Sequence, residues 1–162
     1  MGLICPKSIP NNARMAESLP AEAEVRFLQR LDNDVLEALY SLADALLFPS
    51  LAEGFGWPIA EGLACGCPVI TTGEAPMNEV GGPHAYYLPR LVGADAMAAW
   101  AAQGARLLES LLERPEAERE AAAQAGMEWA QRYDGEKAID SYLRVYESVL
   151  AQARSPQHRG AK

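Results

Sequence analysis

The order of apolar runs and their punctuation predicts an α/β fold, a parallel sheet with helices on both faces. Three observations carry this expectation. Short continuous apolar runs such as Ala45-Leu46-Leu47-Phe48 suit strands buried on both faces. Between them lie stretches whose apolar residues recur at helical spacing. The two kinds of segment alternate along the chain, the pattern of strands joined by crossover helices. With 162 residues and 49% hydrophobic content, the chain can build one domain around a core.

Taken in order, Leu3-Ile4-Cys5 reads as the end of a buried strand stopped by Pro6. Residues 7–24 are polar and proline-punctuated, a loop with one helical turn around Ala13 to Leu19. Val25-Arg26-Phe27-Leu28 reads as a second strand. Asp32 or Asn33 caps a helix with Val35, Leu36, Leu39, Tyr40 and Ala43 on its apolar face. The Ala45 to Phe48 strand follows. A helix from Pro58 to Cys65 comes next, because proline at the first helical position loses only an N–H that had no partner there. Gly66 ends it. Pro68 to Thr72 and Ala85 to Leu88 are further strands. Helices are predicted over Ala94 to Glu113 and from Pro115 to Arg132. Asp134 caps a last helix with Ile139, Tyr142, Leu143, Tyr146, Val149 and Leu150 on one face. No internal repeat is evident.

Composition narrows the function classes. Charged residues make up 22%, so general disorder is not indicated. A net charge of −8 argues against nucleic acid or an anionic membrane as the main partner. It leaves open a single small anion, which a helix N-terminus holds without a global basic field. Three cysteines make no disulfide framework and suit a reducing compartment, so a cytoplasmic location is the default. No apolar run approaches the roughly 20 residues of a membrane span. The start, Met1 to Pro6, has neither a secretory pattern nor the Ser/Thr at position 6 that myristoylation expects.

The densest chemistry lies in Glu53-Gly54-Phe55-Gly56-Trp57-Pro58-Ile59-Ala60-Glu61. This segment joins a strand to a helix, and open α/β sheets bind ligands at such turns, outside the carboxyl ends of their strands. A helix opening at Pro58 would aim N–H groups near Trp57, Ile59 and Ala60, with the positive dipole end, at a diphosphate. Gly54 and Gly56 allow close backbone approach. Glu53 would face a neutral hydroxylated group beside the phosphates. Glu61 would accept hydrogen bonds from a ribose diol. On spacing alone, a capped helix with acidic residues favouring the dipole explains the segment equally well.

The run Glu53 to Glu61, continued by Gly62-Leu63-Ala64-Cys65-Gly66-Cys67-Pro68-Val69-Ile70, resembles the signature of retaining GT-B glycosyltransferases of the GT4 family. Its context agrees. Leu36 to Ser50, ending in Leu46-Leu47-Phe48-Pro49-Ser50, is similar to the family's segment before the motif. Ala75-Pro76-Met77-Asn78-Glu79-Val80-Gly81-Gly82 is similar to its loop after the next strand, and Arg132-Tyr133-Asp134 with the helix carrying Tyr146 to its closing helices. Trp57 stands where members more often carry a small or aliphatic residue. The resemblance covers most of Val25 to Leu150. It implies a Rossmann-like, nucleotide-sugar-binding domain over residues 1–153, with 154–162 a disordered polar tail.

The resemblance also implies roles. Glu53 becomes the catalytic-site glutamate that contacts the donor sugar, and Glu61 the ribose ligand. The backbone of Gly54, Phe55, Gly56, Trp57 and Pro58 serves sugar and diphosphate. The donor is a nucleotide diphosphate sugar, and no metal or other cofactor is expected. Family members have two Rossmann-like domains, with the acceptor site in the N-terminal one, so a separate acceptor domain is an implied partner. In the family's 3-2-1-4-5-6 strand order, Leu3-Ile4-Cys5 matches the second strand, leaving out the first strand and helix. The two half-sheets then either pair directly or expose edges. The family's Arg and Lys for the diphosphate follow that first strand, and neither Lys7 nor Arg14 has their context. Leaving-group charge stabilisation is typically worth several kcal/mol. The expectation is therefore a chain not competent by itself: a gene fragment, a chain with a misplaced start, or half of a split enzyme. The alternative is a non-catalytic remnant or docking subunit, using the Tyr142, Tyr146 and Leu150 face.

Other residues read more plainly. Cys65 and Cys67 lack a partner cluster for metal. His84 reads as a surface histidine, and Trp100 and Trp129 as packing residues. Glu79 either borders the donor pocket or is a simple helix-start carboxylate. Charged residues from Glu113 to Glu128 suit a solvated helix face. A dinucleotide-dependent oxidoreductase is disfavoured, since no Gly-x-Gly-x-x-Gly follows a first strand.

Overall fold

A computed structural model of the chain describes Leu3–Ile4 and residues 23–154. Four strands, β1 (Leu3–Ile4), β2 (Ala45–Phe48), β3 (Val69–Thr72) and β4 (Tyr86–Leu88), form one sheet in the order β1-β2-β3-β4. Every neighbouring pair is parallel. The short pieces β1 and β2 pair directly, Leu3 opposite Ala45 and Ile4 opposite Leu46. Of the two arrangements open to the half-sheets, direct pairing is the one observed.

The helices are α1 (Asn33–Leu42), α2 (Trp57–Ala64), α3 (Met77–Gly81), α4 (Met97–Leu112), α5 (Glu116–Ala130) and α6 (Gly135–Arg154). They cover both faces of the sheet. Side chains alternate across each strand, so β2 and β3 contribute to two cores. Leu46, Phe48 and Val69 meet Tyr40 of α1, Ile59 and Leu63 of α2, Met77 and Val80 of α3, and Ala130 of α5. Ile70 and Leu88 point the other way, onto Leu111 of α4, with Leu47, Trp100 and Leu107 around them. The α/β expectation holds, with a parallel sheet between helical layers.

Two expectations are corrected. Val25 to Leu28 forms no strand; it runs without regular structure, with Phe27 48% and Leu28 51% exposed. A strand needs a partner edge, and the two-residue β1 offers little edge to pair with. The motif helix also starts one residue early, at Trp57, with Pro58 in its first turn. The loop and helical turn expected within residues 7–22, and the tail beyond Arg154, lie outside the described residues.

The last helix keeps its expected pattern and cap. Asp134 Oδ1 accepts from the N–H groups of Glu136 (2.9 Å) and Lys137 (3.2 Å). Yet Ile139, Tyr142, Leu143, Tyr146, Val149 and Leu150 are all 53–67% exposed. Trp100 and Trp129 pack as read, each also donating its indole N–H, to the Pro89 (2.7 Å) and Val80 (2.8 Å) carbonyls. His84 is half-buried, its ring 5.2 Å from that of Trp129. Cys67 is buried in the core, and burial pushes its thiol up to about 12. No helix among the described residues is long and apolar enough to cross a membrane.

Candidate functional site

The segment from Pro49 to Gly56 leaves the carboxyl end of β2 and turns into α2. Its base is fastened to the neighbouring strand. At the end of β3, the hydroxyl of Thr71 donates to the Phe48 carbonyl (2.8 Å) and that of Thr72 to the Ser50 carbonyl (2.5 Å). Both threonines are buried. A threonine in a strand is expected to pack; here two in a row spend their hydroxyls on the next strand's outgoing backbone, so the loop leaves from a fixed point.

The loop then makes a sharp change of direction at Gly56. With φ +97, in the left-handed region, this residue caps α2 where a side chain would be strained. Its carbonyl accepts from the N–H of Ile59 at 3.0 Å. One of the three amides expected to face a ligand is thus turned back on the chain. Pro58 has no N–H to offer. By contrast, no hydrogen bond within the described residues engages the N–H of Gly54, Phe55, Gly56 or Trp57. This row of four donors sits at the start of α2, where the helix dipole is positive.

Both glutamates lie beside this row, and both are exposed. Glu53 Oε1 accepts a short hydrogen bond from the Ser50 hydroxyl (2.6 Å). That hydroxyl also lies 3.2 Å from the Ala52 carbonyl, but its single proton favours the charged, nearer acceptor. Glu61 stands on the second turn of α2, and its Oε2 accepts from the Tyr40 hydroxyl of α1 (3.3 Å). Among the described residues, each carboxylate therefore has one oxygen held and the other without a hydrogen-bond partner. Tyr40 is itself buried, and burial, with the Glu61 charge, raises its phenol well above the ordinary tyrosine range. It stays a donor across the physiological range.

Aromatic rings support the loop from behind. Phe55 packs edge-on against Tyr133 (centroids 5.3 Å apart) and at a tilt against Trp57 (4.7 Å). Trp57 itself is 56% exposed at the mouth of the site. The Tyr133 hydroxyl shares its one proton between the carbonyls of Glu79 and Val80, both 3.2 Å away, which ties the turn after α5 to α3. Glu79 falls in the first turn of α3, with an exposed side chain.

All the residues singled out from sequence, Glu53, Gly54, Phe55, Gly56, Trp57, Pro58 and Glu61, thus fall in one loop and the turns it opens. Sequence reading did not give Ser50 or Tyr40 a role at the site, although both stand in the segment before the motif. Ser50 carried a local signal, a hydroxyl three residues before a carboxylate. Tyr40 carried none, because its contact spans 21 residues.

The family model described as "Glycosyl transferases group 1" matches residues 11–129. A D-inositol 3-phosphate glycosyltransferase of Salinispora tropica is 32% identical over 147 residues, covering 87% of this chain and 28% of that protein. An O-antigen chain mannosyltransferase B of Escherichia coli is 29% identical over 133 residues, 82% of this chain and 32% of that one. A D-inositol 3-phosphate glycosyltransferase of Mycolicibacterium smegmatis is 27% identical over 150 residues, covering 91% and 32%. The chain spans less than a third of the length of these relatives. It belongs to the group 1 glycosyltransferases.

Proposed function

We propose that this domain binds a nucleotide diphosphate sugar and presents its anomeric carbon for transfer with retention of configuration. Glu53 lies against the sugar and is the glutamate that acts at the reacting centre. The open oxygen of Glu61 takes the ribose hydroxyls. The amides of Gly54, Phe55, Gly56 and Trp57 hold sugar and diphosphate oxygens, and Pro58, in the first turn, follows the Gly56 cap that aims them. The observation that carries this reading is the pairing of four unengaged amides with two carboxylates that are each half-held. Amides at a positive helix end suit phosphate; carboxylates with a free oxygen suit hydroxyl groups.

Transfer also needs an acceptor, and this chain spans 28–32% of the relatives above. The acceptor site belongs, in this reading, to a separate domain that closes over the loop. This chain assayed alone is expected to bind donor without turning it over, because charge neutralisation of the leaving diphosphate, worth several kcal/mol in transfer reactions, falls among the described residues to four amides and a dipole. The test supplies an acceptor domain and compares Glu53→Ala with the parent. Transfer should fall by at least tenfold, and the product anomer should match the donor's. Unchanged transfer would refute the role of Glu53.

A second reading, a docking subunit or remnant without chemistry, draws on α6. Seven large apolar or aromatic residues there are more than half exposed along a helix of 20 residues. In this reading the helix seats the chain on the separate acceptor domain. Titration with nucleotide sugars separates the two: a remnant gives no heat at millimolar ligand.

A further inference from the structure

We propose that Tyr40 is a positioning residue for nucleotide recognition, holding the Glu61 carboxylate in the orientation that meets the ribose. The proposal rests on the ribose assignment made above. Glu61 stands on an exposed helix turn, and a free glutamate there samples several rotamers. Binding a diol freezes one of them, at a cost set by the lost rotamer freedom. Tyr40 removes much of that freedom beforehand. Its ring is 4% exposed and fixed in the core beneath α2, so its hydroxyl is a donor in a set place. It reaches Glu61 Oε2 at 3.3 Å and leaves Oε1 for a ligand. A phenol that remains protonated keeps donating toward the carboxylate and so holds it in place. The core of this domain thus reaches its ligand through one tyrosine: α1 packs on α2, and the packing sets the carboxylate.

The experiment uses calorimetric titration of the full chain with UDP and GDP and with their 2′,3′-dideoxyribose analogues. Four proteins are compared: parent, Tyr40→Phe, Glu61→Gln and the double variant. Tyr40→Phe keeps the buried ring, and thermal melting reports whether the fold is intact. The expected result is a roughly two- to tenfold weakening of the ribonucleotide by Tyr40→Phe. The dideoxy analogue should show no such loss, and neither should the Glu61→Gln background. Equal weakening of ribo and dideoxy ligands would overturn the proposal, since a merely structural tyrosine acts on both. So would full affinity in Tyr40→Phe when Glu61→Gln is impaired. Unchanged ribonucleotide binding in Glu61→Gln would instead overturn the ribose assignment itself, and the Tyr40 role with it.

Discussion

Ser50 donates its hydroxyl to Glu53 Oε1 at 2.6 Å, while its own carbonyl accepts from the buried Thr72 hydroxyl of the next strand. The glutamate assigned to the sugar is thereby tied, through one serine, to the carboxyl end of the sheet. Ser50→Ala frees the carboxylate but keeps the Thr72 contact, which uses backbone. Stability should therefore change by less than about 1 kcal/mol. The extra affinity of a nucleotide sugar over the bare nucleoside diphosphate should shrink several-fold, with diphosphate affinity itself unchanged. Parallel titrations with both ligands check this.

Gly82 and Gly54 should respond oppositely to alanine. A Cβ at Gly82 would lie 2.1 Å from Trp129 Cζ2, at a backbone φ of +52. The indole is fixed by its bond to Val80 and by Arg132, whose guanidinium lies 3.2 Å from the ring centroid, so it has little room to give. Gly82→Ala is expected to cost about 2–4 kcal/mol, seen as a drop of several degrees in the melting midpoint. At Gly54 an added Cβ meets nothing within 4 Å. Gly54→Ala should leave the midpoint in place and lower donor affinity, because the methyl group stands where the ligand approaches the amides.

The buried Val80 carbonyl receives two donors, the Trp129 indole and the Tyr133 hydroxyl. Trp129→Phe or Tyr133→Phe alone leaves it with one, and each should cost about 1 kcal/mol. The double variant removes both side-chain donors and should cost more than the sum. A thermodynamic cycle from denaturant melts gives that coupling directly.

Alkaline pH should unfold the protein earlier than a chain without buried thiols. Burial raises Cys67 from 9.0 to about 12 and Tyr87 from 10.0 to about 12. Folded values above unfolded ones mean that their contribution is complete below about pH 9 and is lost as pH rises toward 12. Stability measured from pH 8 to 11.5 should be level at first and then decline. Cys67→Ala should flatten the early part of that decline.

Much of this was legible in the chain itself, and the exceptions share a cause. The Ala45–Phe48 strand, the Asp134 cap and the motif loop each depend on neighbours in sequence, so periodicity and turn chemistry found them. Val25 to Leu28 has strand composition, but a strand exists only with a partner edge, which composition does not contain. The start of α2 slipped by one residue because the left-handed Gly56, rather than Pro58, sets the cap. Tyr40 read correctly as a core position; that its hydroxyl emerges beside Glu61 depends on how α1 crosses α2. The apolar stripe of α6 was equally visible, and the docking alternative already took its Tyr142, Tyr146 and Leu150 face as exposed, as it is.

The most direct measurement is calorimetric titration of this chain with nucleotide diphosphate sugars, parent beside Glu61→Ala. Saturable binding of at least one donor, weakened tenfold or more by the substitution, is the predicted result. Absence of heat at millimolar donor, or equal affinity in the two proteins, would contradict a donor site built on the Glu53 to Glu61 loop.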